Sequence, residues 1–486
     1  MGPFVLILLG FLAAGCYVNR AVVDPFAYAP KSSCWYWGPD SEASQMAGCD
    51  PVAECPDLPD EEHILSLGEV LDIALVNNPQ TQISWALARQ YAAQYGHTQS
   101  TAFPTITASY LYTASRTSFL ASQVEQPGNV DEEVLIINTQ QEWGPRADVT
   151  WTLLDFGQRR YTSEAARYAL YYTDYLHNQT VQTLVQDVTV DFYNYLYQKK
   201  LLEANESDLA TAEVTLEAAE LGFRSGVKNV SDVLQARTQA LLAEIQLSEQ
   251  YRAVHTSYAT LLDTMGLPAN ANIDLQKLPF VDPESVDLDP LDEYLDIAMQ
   301  CRPDLLAARS NVVSREKALL AAKRAWTPVV DYTLDIGNST FTGGFNDKYN
   351  YVSTLTVSMP LFTGFQIRNS IRLAQATVEK EEATLKQVEL NAVKDLTIAH
   401  YNVSIAFNTL KAAIRFLESA KEEYEVSLSQ YKAGVNTILD VLSAQSSLFD
   451  ARAKQAGAIQ EWFTSLSTLT YSAGLMSYNL TQGDPS

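Results

Sequence analysis

The sequence predicts a mainly α-helical protein built on very long antiparallel helices, joined to four β-strands of the length used by membrane barrels. Three observations carry this. The stretch Phe223-Arg224-Ser225-Gly226-Val227-Lys228-Asn229-Val230-Ser231-Asp232-Val233-Leu234 recurs as Tyr431-Lys432-Ala433-Gly434-Val435-Asn436-Thr437-Ile438-Leu439-Asp440-Val441-Leu442, with Gly226 on Gly434 and Asp232 on Asp440 (434 − 226 = 208). Each copy ends one helical pattern at a Gly and opens another, as a helical hairpin does, so the chain is internally duplicated. In both copies large residues recur every seven positions, at Leu202, Leu209, Leu216 and Phe223 and at Leu410, Leu417, Tyr424 and Tyr431, a spacing that favours left-handed coiled packing. In four stretches the period drops to two, the mark of a strand with one apolar face.

Taken in order, the chain opens on an apolar run, Phe4 to Ala14. It is too short to span a bilayer comfortably and reads as a secretory signal. Leu12-Ala13-Ala14-Gly15-Cys16 resembles a bacterial lipobox, which would make Cys16 the lipidated first residue of the mature chain. A plain signal peptide containing Cys16 is the alternative. By the same resemblance Tyr17, standing where Asp retains lipoproteins in the inner membrane, points to the outer membrane. Residues 17–64 form a Pro-rich arm with Cys34, Cys49 and Cys55, of which two are expected to pair in an oxidising compartment. Their spacing does not choose the pair, and Cys301 stands alone.

The first structural repeat spans 65–267 and the second 291–476, joined by a linker at 268–290 with prolines at 268, 279, 283 and 290; a polar tail follows at 477–486. Leu71-Asp72-Ile73-Ala74 before Asn78-Pro79 returns as Leu295-Asp296-Ile297-Ala298 before Arg302-Pro303. Alanine-rich helices follow at 80–102 and 304–326, each stopped by a proline, Pro104 or Pro328, which pushes the preceding residue toward extended geometry. Strands are expected in hairpins at 105–154 and 329–360, their return legs at 146–154 and 350–360, the first around a loop at 115–145. The Gly157/Gly364 match and the apolar alternation disagree by one residue about the register of those return legs. Gly157 and Gly364 open the long helices, 157–223 and 364–432, each about 100 Å at 1.5 Å per residue. A shorter arm, 229–265, completes the first hairpin.

Four strands of about ten residues match the span of a tilted membrane strand. They cannot close a barrel, and open edges are not tolerated in lipid, so several chains must share one barrel. The alternative is a soluble four-stranded sheet packed on helices. A formal charge of −25, with 58 acidic against 33 basic residues, argues against nucleic acid as a partner and suits an acidic surface or a cation-attracting conduit. Twenty-six tyrosines are compatible with interfacial aromatic belts.

The duplicated helix–strand–strand–helix plan resembles the TolC-like outer membrane efflux family. So do Phe103-Pro104 and Trp326-Thr327-Pro328 before strands, Met359-Pro360-Leu361-Phe362-Thr363-Gly364 after them, and the two Gly-Val hairpins. The resemblance covers about residues 65–476. It implies a homotrimer whose chains each give four strands to a twelve-stranded outer membrane β-barrel, continued by an α-helical barrel in the periplasm. Such a trimer is the exit duct of a tripartite efflux or secretion system, with a periplasmic adaptor (membrane fusion protein) and an inner-membrane pump as partners. A passive porin and a structural periplasm-spanning coiled-coil protein are the rival readings.

No enzyme, cofactor or metal site is expected: His63, His97, His177, His255 and His400 have no ligand spacing, and no nucleophile elbow or phosphate loop occurs. The resemblance instead implies gating residues at the hairpins. Asp440 falls at an acidic position that would converge on a threefold axis; the family's second acid, three residues on, is Ser443. Tyr431 matches a tyrosine that hydrogen-bonds an aspartate in the other hairpin, here Asp232. Asn436, facing Ser231, stands where the best-known member has an arginine, so the lock should be weaker or built differently. The simpler reading of Asp232 and Asp440 is helix capping. Gly226, Val227, Gly434 and Val435 are the implied adaptor-docking tips, where turn chemistry alone would also select glycine.

Overall fold

The computed structural model describes residues 20–37, 64–123, 132–277, 290–342 and 346–476. Cys16, Cys49, Cys55, His63 and the polar tail lie outside them. Apart from a four-residue helical turn at Arg20–Val23 and a short 3-10 turn at Pro25–Tyr28, the helices come in matched sets. The first half has α1 (Leu67–Asn77), α2 (Pro79–Ser100), α3 (Gln158–Arg224) and α4 (Val230–Thr264). The second has α5 (Leu291–Cys301), α6 (Pro303–Arg324), α7 (Gln366–Lys432) and α8 (Ile438–Ser472). Corresponding helices are equal in length, at 11, 22, 67 and 35 residues. No described helix is long and apolar enough to cross a membrane.

The strands are β1 (Ile64–Leu65), β2 (Thr105–Gln123), β3 (Glu132–Leu154), β4 (Asp274–Leu275), β5 (Val329–Phe341) and β6 (Asn346–Ser358). β1 and β4 form a small parallel pair, so the expected linker carries a strand before residue 278. β2, β3, β5 and β6 form one antiparallel sheet in that order, which leaves β2 and β6 as its edges.

Two compact units divide the chain. The first comprises Met1–Pro25, Ala92–Tyr168 and Val312–Glu381 and holds the four-stranded sheet. Val330, Tyr332, Leu334 and Ile336 of β5 pair with Val357, Leu355, Ser353 and Tyr351 of β6. On their other side stand Leu154, Trp151, Val149 and Ala147 of β3, so that, Ser353 apart, one sheet face is lined with apolar side chains. The opposite face is polar: Thr152 Oγ1 donates to Asp331 Oδ1 at 2.7 Å, and Arg146 meets Glu142 at 2.8 Å. One apolar and one charged face is the pattern of a barrel strand set between lipid and an aqueous lumen.

Two expectations about this sheet need correction. The stretch 115–145 is mostly ladder, not loop: β2 and β3 pair continuously from Thr105–Thr150 to Gln123–Glu132. Its Ser, Thr and Gln side chains hide the alternation, while the backbone groups still pair across the hairpin. The one-residue conflict over register has a physical cause. Thr150 and Ser358 close the two hairpins at equivalent places, 358 − 150 = 208, whereas Gly157 and Gly364 differ by 207. The extra residue is Leu153, left between Thr152 and Leu154 where the β3–β5 register shifts, a β-bulge. After each sheet leg the chain turns into its long helix through two left-handed residues, Phe156-Gly157 (φ 52° and 98°) and Gly364-Phe365 (φ 60° and 66°). The long helices therefore start at Gln158 and Gln366, one and two residues beyond the glycines.

The second unit comprises Phe26–Tyr91, Ala169–Asn311 and Glu382–Ser486. Here residues 26–37 of the arm are seated on α2 and α3. Asn178 holds Trp37 by both backbone groups at 2.7 Å, and Trp85 Nε1 donates to Pro30 O at 2.8 Å. His177 bridges Ser84 (2.8 Å) and Trp35 O (3.1 Å). Burial pushes its imidazole down to about 4, so it is neutral and structural. Cys34 carries a free thiol beside Ser32 Oγ, and Cys301 is free and exposed.

The heptad of the first half lies beside the buried stripe of α3, not on it. The deeply buried positions run Asp208, Ala212, Thr215, Ala219, with Leu209 and Leu216 partly buried at the margin. In the second half Leu410, Tyr424 and Tyr431 are buried as the heptad predicts. Small residues let α3 approach its neighbours closely, and its buried carboxylate is held by an ion pair from Arg452 on α8.

Candidate functional site at the hairpin ends

Both hairpins turn by the same backbone device. At the end of α3, Val227 N donates to Gly222 O and Gly226 N to Phe223 O, both at 3.0 Å. At the end of α7, Val435 N donates to Gln430 O at 2.9 Å and Gly434 N to Tyr431 O at 3.0 Å. These are Schellman caps, which need a left-handed residue after the last turn. Gly226 and Gly434 have φ 75° and 81°. A Cβ on either would meet nothing within 4 Å, so backbone conformation and not crowding selects glycine there. Beyond each cap a valine stands in the open, Val227 at 69% and Val435 at 75% exposure.

Behind the turns a small core joins the hairpins: Ala219, Val233 and Ala236 pack with Tyr424, Tyr431, Ile438 and Val441. Tyr431 is 1% exposed and its hydroxyl donates to Asp232 Oδ2 at 3.4 Å. Burial first, and the Asp232 carboxylate second, push the phenol up to about 12. It therefore keeps its proton at any working pH and acts as a donor.

The two aspartates that the duplication aligns differ in what they do. Asp440 caps its own helix: it accepts from Thr437 N at 2.9 Å and Thr437 Oγ1 at 2.7 Å, and Thr437 Oγ1 accepts from Asp440 N. The Thr437 hydroxyl and amide hold its carboxyl below the ordinary range. Asp232 makes no such bond, because the N-cap Asn229 has no side-chain cap. It reaches across to Tyr431 instead. The capping reading thus describes Asp440 in this chain, and the cross-hairpin reading describes Asp232. Asn436 and Ser231 are not brought together: Asn436 Nδ2 donates to Gln430 Oε1 at 2.7 Å within its own hairpin, and Ser231 is exposed, as is Ser443.

The sequence alone does not single out Lys228. Its Nζ stands 4.0 Å from the centroid of the Tyr431 ring and 3.4 Å from Asn436 O. The repeat contained the signal, since 436 − 228 = 208 pairs Lys228 with Asn436. Deeper in the bundle lies a second cross-half cluster. Asp208 pairs with Arg452, and Thr215 Oγ1 is within 3.2 Å of Tyr424 Oη and 3.1 Å of Gln445 Oε1. Among the described residues no group of three His, Cys, Asp or Glu is placed to hold a metal ion.

Comparison with known proteins gives one consistent result. The family model for outer membrane efflux protein matches residues 70–267 and 294–475, the two structural repeats. Protein CyaE of Bordetella pertussis is 25% identical over 434 residues, spanning 89% of this chain and 88% of its own. Outer membrane protein TolC of Vibrio cholerae is 24% identical over 425 residues, spanning 85% and 91%. The outer-membrane channel OprN superposes with a TM-score of 0.74 at 17% identity, covering 87% of this chain and 95% of that one. CusC gives 0.72 at 20% identity, covering 84% and 92%. Long helix pairs and a four-stranded antiparallel sheet are common to these channels and this chain. With nearly all of both repeats matched, the chain belongs to the outer membrane efflux protein family, whose members are channels and not enzymes.

Proposed function

We propose that three copies of the chain assemble as a homotrimer anchored in the outer membrane through a lipid on Cys16. The trimer forms the exit duct of a tripartite efflux or secretion system. The observation that carries this reading is the four-stranded sheet with one apolar face and two unpaired edges, β2 and β6. In lipid those edges must be covered, and the edge of a neighbouring copy is the complementary one. Three chains make twelve strands, within the range of outer membrane barrels, whereas a single-chain porin needs at least eight. The pump role is supported by relatives such as the probable efflux pump outer membrane protein TtgC of Pseudomonas putida, 24% identical over 461 residues.

In this reading the two hairpins are the periplasmic end of the duct. Val227 and Val435, with Gly226 and Gly434, form the surface on which the adaptor docks. Tyr431–Asp232 is the latch of the closed state, and three Asp440 carboxylates line the axis. The docking claim predicts that Val227→Asp with Val435→Asp abolishes cross-linking of the adaptor and co-purification of the inner-membrane pump. Both side chains are exposed, so folding and the level in the outer membrane fraction should not change. Undiminished adaptor capture by this variant would place docking elsewhere.

A further inference from the structure

The hairpin core holds a positive charge that neither the caps nor the Tyr431–Asp232 contact requires. The stem of Lys228 crosses Gly222, where a Cβ would lie 2.6 Å from Lys228 Cγ. Glycine at 222 therefore leaves the channel along which the lysine reaches the second hairpin. At its end the ammonium sits 4.0 Å from the Tyr431 ring centroid, within cation–π range, and 3.4 Å from Asn436 O. The ring it meets is almost fully buried, and the same ring's hydroxyl donates to Asp232. Lys228 and Asp232, four residues apart on the first hairpin, thus grip one tyrosine of the second from its face and its edge.

Resting on the gating reading above, we propose that Lys228 is a positioning residue of the closed hairpin end. It clamps the Tyr431 ring where the hydroxyl meets Asp232. The ammonium has no lone pair and can only donate or attract a π face, so both of its contacts fix Tyr431 and the turn after it. The guanidinium of an arginine keeps the charge and stacks well on an aromatic ring, whereas methionine keeps an unbranched stem over Gly222 and loses the charge.

The test is single-channel conductance of the full-length protein in planar bilayers. Lys228→Met should raise conductance several-fold, and Lys228→Arg should stay near the parent. In a Tyr431→Leu background Lys228→Met should add nothing, because its partner ring is gone. If Lys228→Met behaves like the parent while Asp232→Ala plus Tyr431→Phe opens the channel, the role of Lys228 is overturned and the latch stands. If Lys228→Arg opens the channel as far as Lys228→Met, or the Met effect persists in the Tyr431→Leu background, the clamp is likewise overturned. If none of the variants moves conductance, the latch itself fails.

Discussion

Replacing Asp232 by Ala and Tyr431 by Phe is expected to raise single-channel conductance several-fold, with little loss of stability. Both changes are small. Phenylalanine keeps the buried ring that packs among Val233, Ala236 and Ile438, and keeps the face that Lys228 touches. What is lost is one hydrogen bond of 3.4 Å to a part-exposed carboxylate, about 1 kcal/mol net. In a trimer the loss is threefold, about 3 kcal/mol, which is roughly a hundredfold in the ratio of closed to open ends. In the proposed latch, a contact trivial for stability is therefore large for gating. The measurement is conductance in planar bilayers at fixed salt; unchanged conductance with intact trimers would remove Tyr431–Asp232 from the gate.

The second large effect is on stability. Arg452→Met should destabilise the helical unit by about 3–5 kcal/mol, because it strands the carboxylate of Asp208, which is only 5% exposed. Asp208→Leu together with Arg452→Met should be near neutral, since apolar pairs of similar volume replace buried ion pairs without penalty. The pH dependence has a definite sign. Burial outweighs the attraction of Arg452 and pushes Asp208 up to about 6 from an ordinary 3.8. Between those values the folded chain binds more protons than the unfolded one, so the contribution of this group to stability falls as pH rises from 4 to 6. Removing the arginine raises the carboxyl further. The defect of Arg452→Met should thus be larger at pH 8 than at pH 5, read as the midpoint of heat-induced loss of helical circular dichroism. A pH-independent defect would mean that lost packing, not the orphaned charge, is responsible.

The parts of this fold that follow from punctuation were legible in the sequence. Pro104 and Pro328 stop α2 and α6, Gly226 and Gly434 end α3 and α7, and the equal lengths of corresponding helices follow from the duplication. Features set by partners across space were not. The β2–β3 ladder runs on through Ser, Thr and Gln because strand pairing needs only backbone groups. Leu153 hides as a bulge since its apolar side chain suits either register. Asp208 occupies a buried stripe only because Arg452, 244 residues away, neutralises it. At the hairpins, the likeness of Asp232 and Asp440 concealed that Thr437 offers a capping hydroxyl and Asn229 makes no cap. Lys228 is not legible in the sequence because its contacts, the Tyr431 ring and Asn436 O, lie in the other repeat.

The claim that three chains share one barrel is tested most directly at the sheet edges. Thr107→Cys on β2, combined in turn with Val352→Cys, Thr354→Cys or Thr356→Cys on β6, places thiols on the two unpaired edges. Oxidation of outer membranes carrying each pair should give covalent trimers on a denaturing gel for at least one combination, abolished by reductant and absent from the parent. Monomers alone from every combination, at normal levels in the outer membrane, would contradict a shared twelve-stranded barrel.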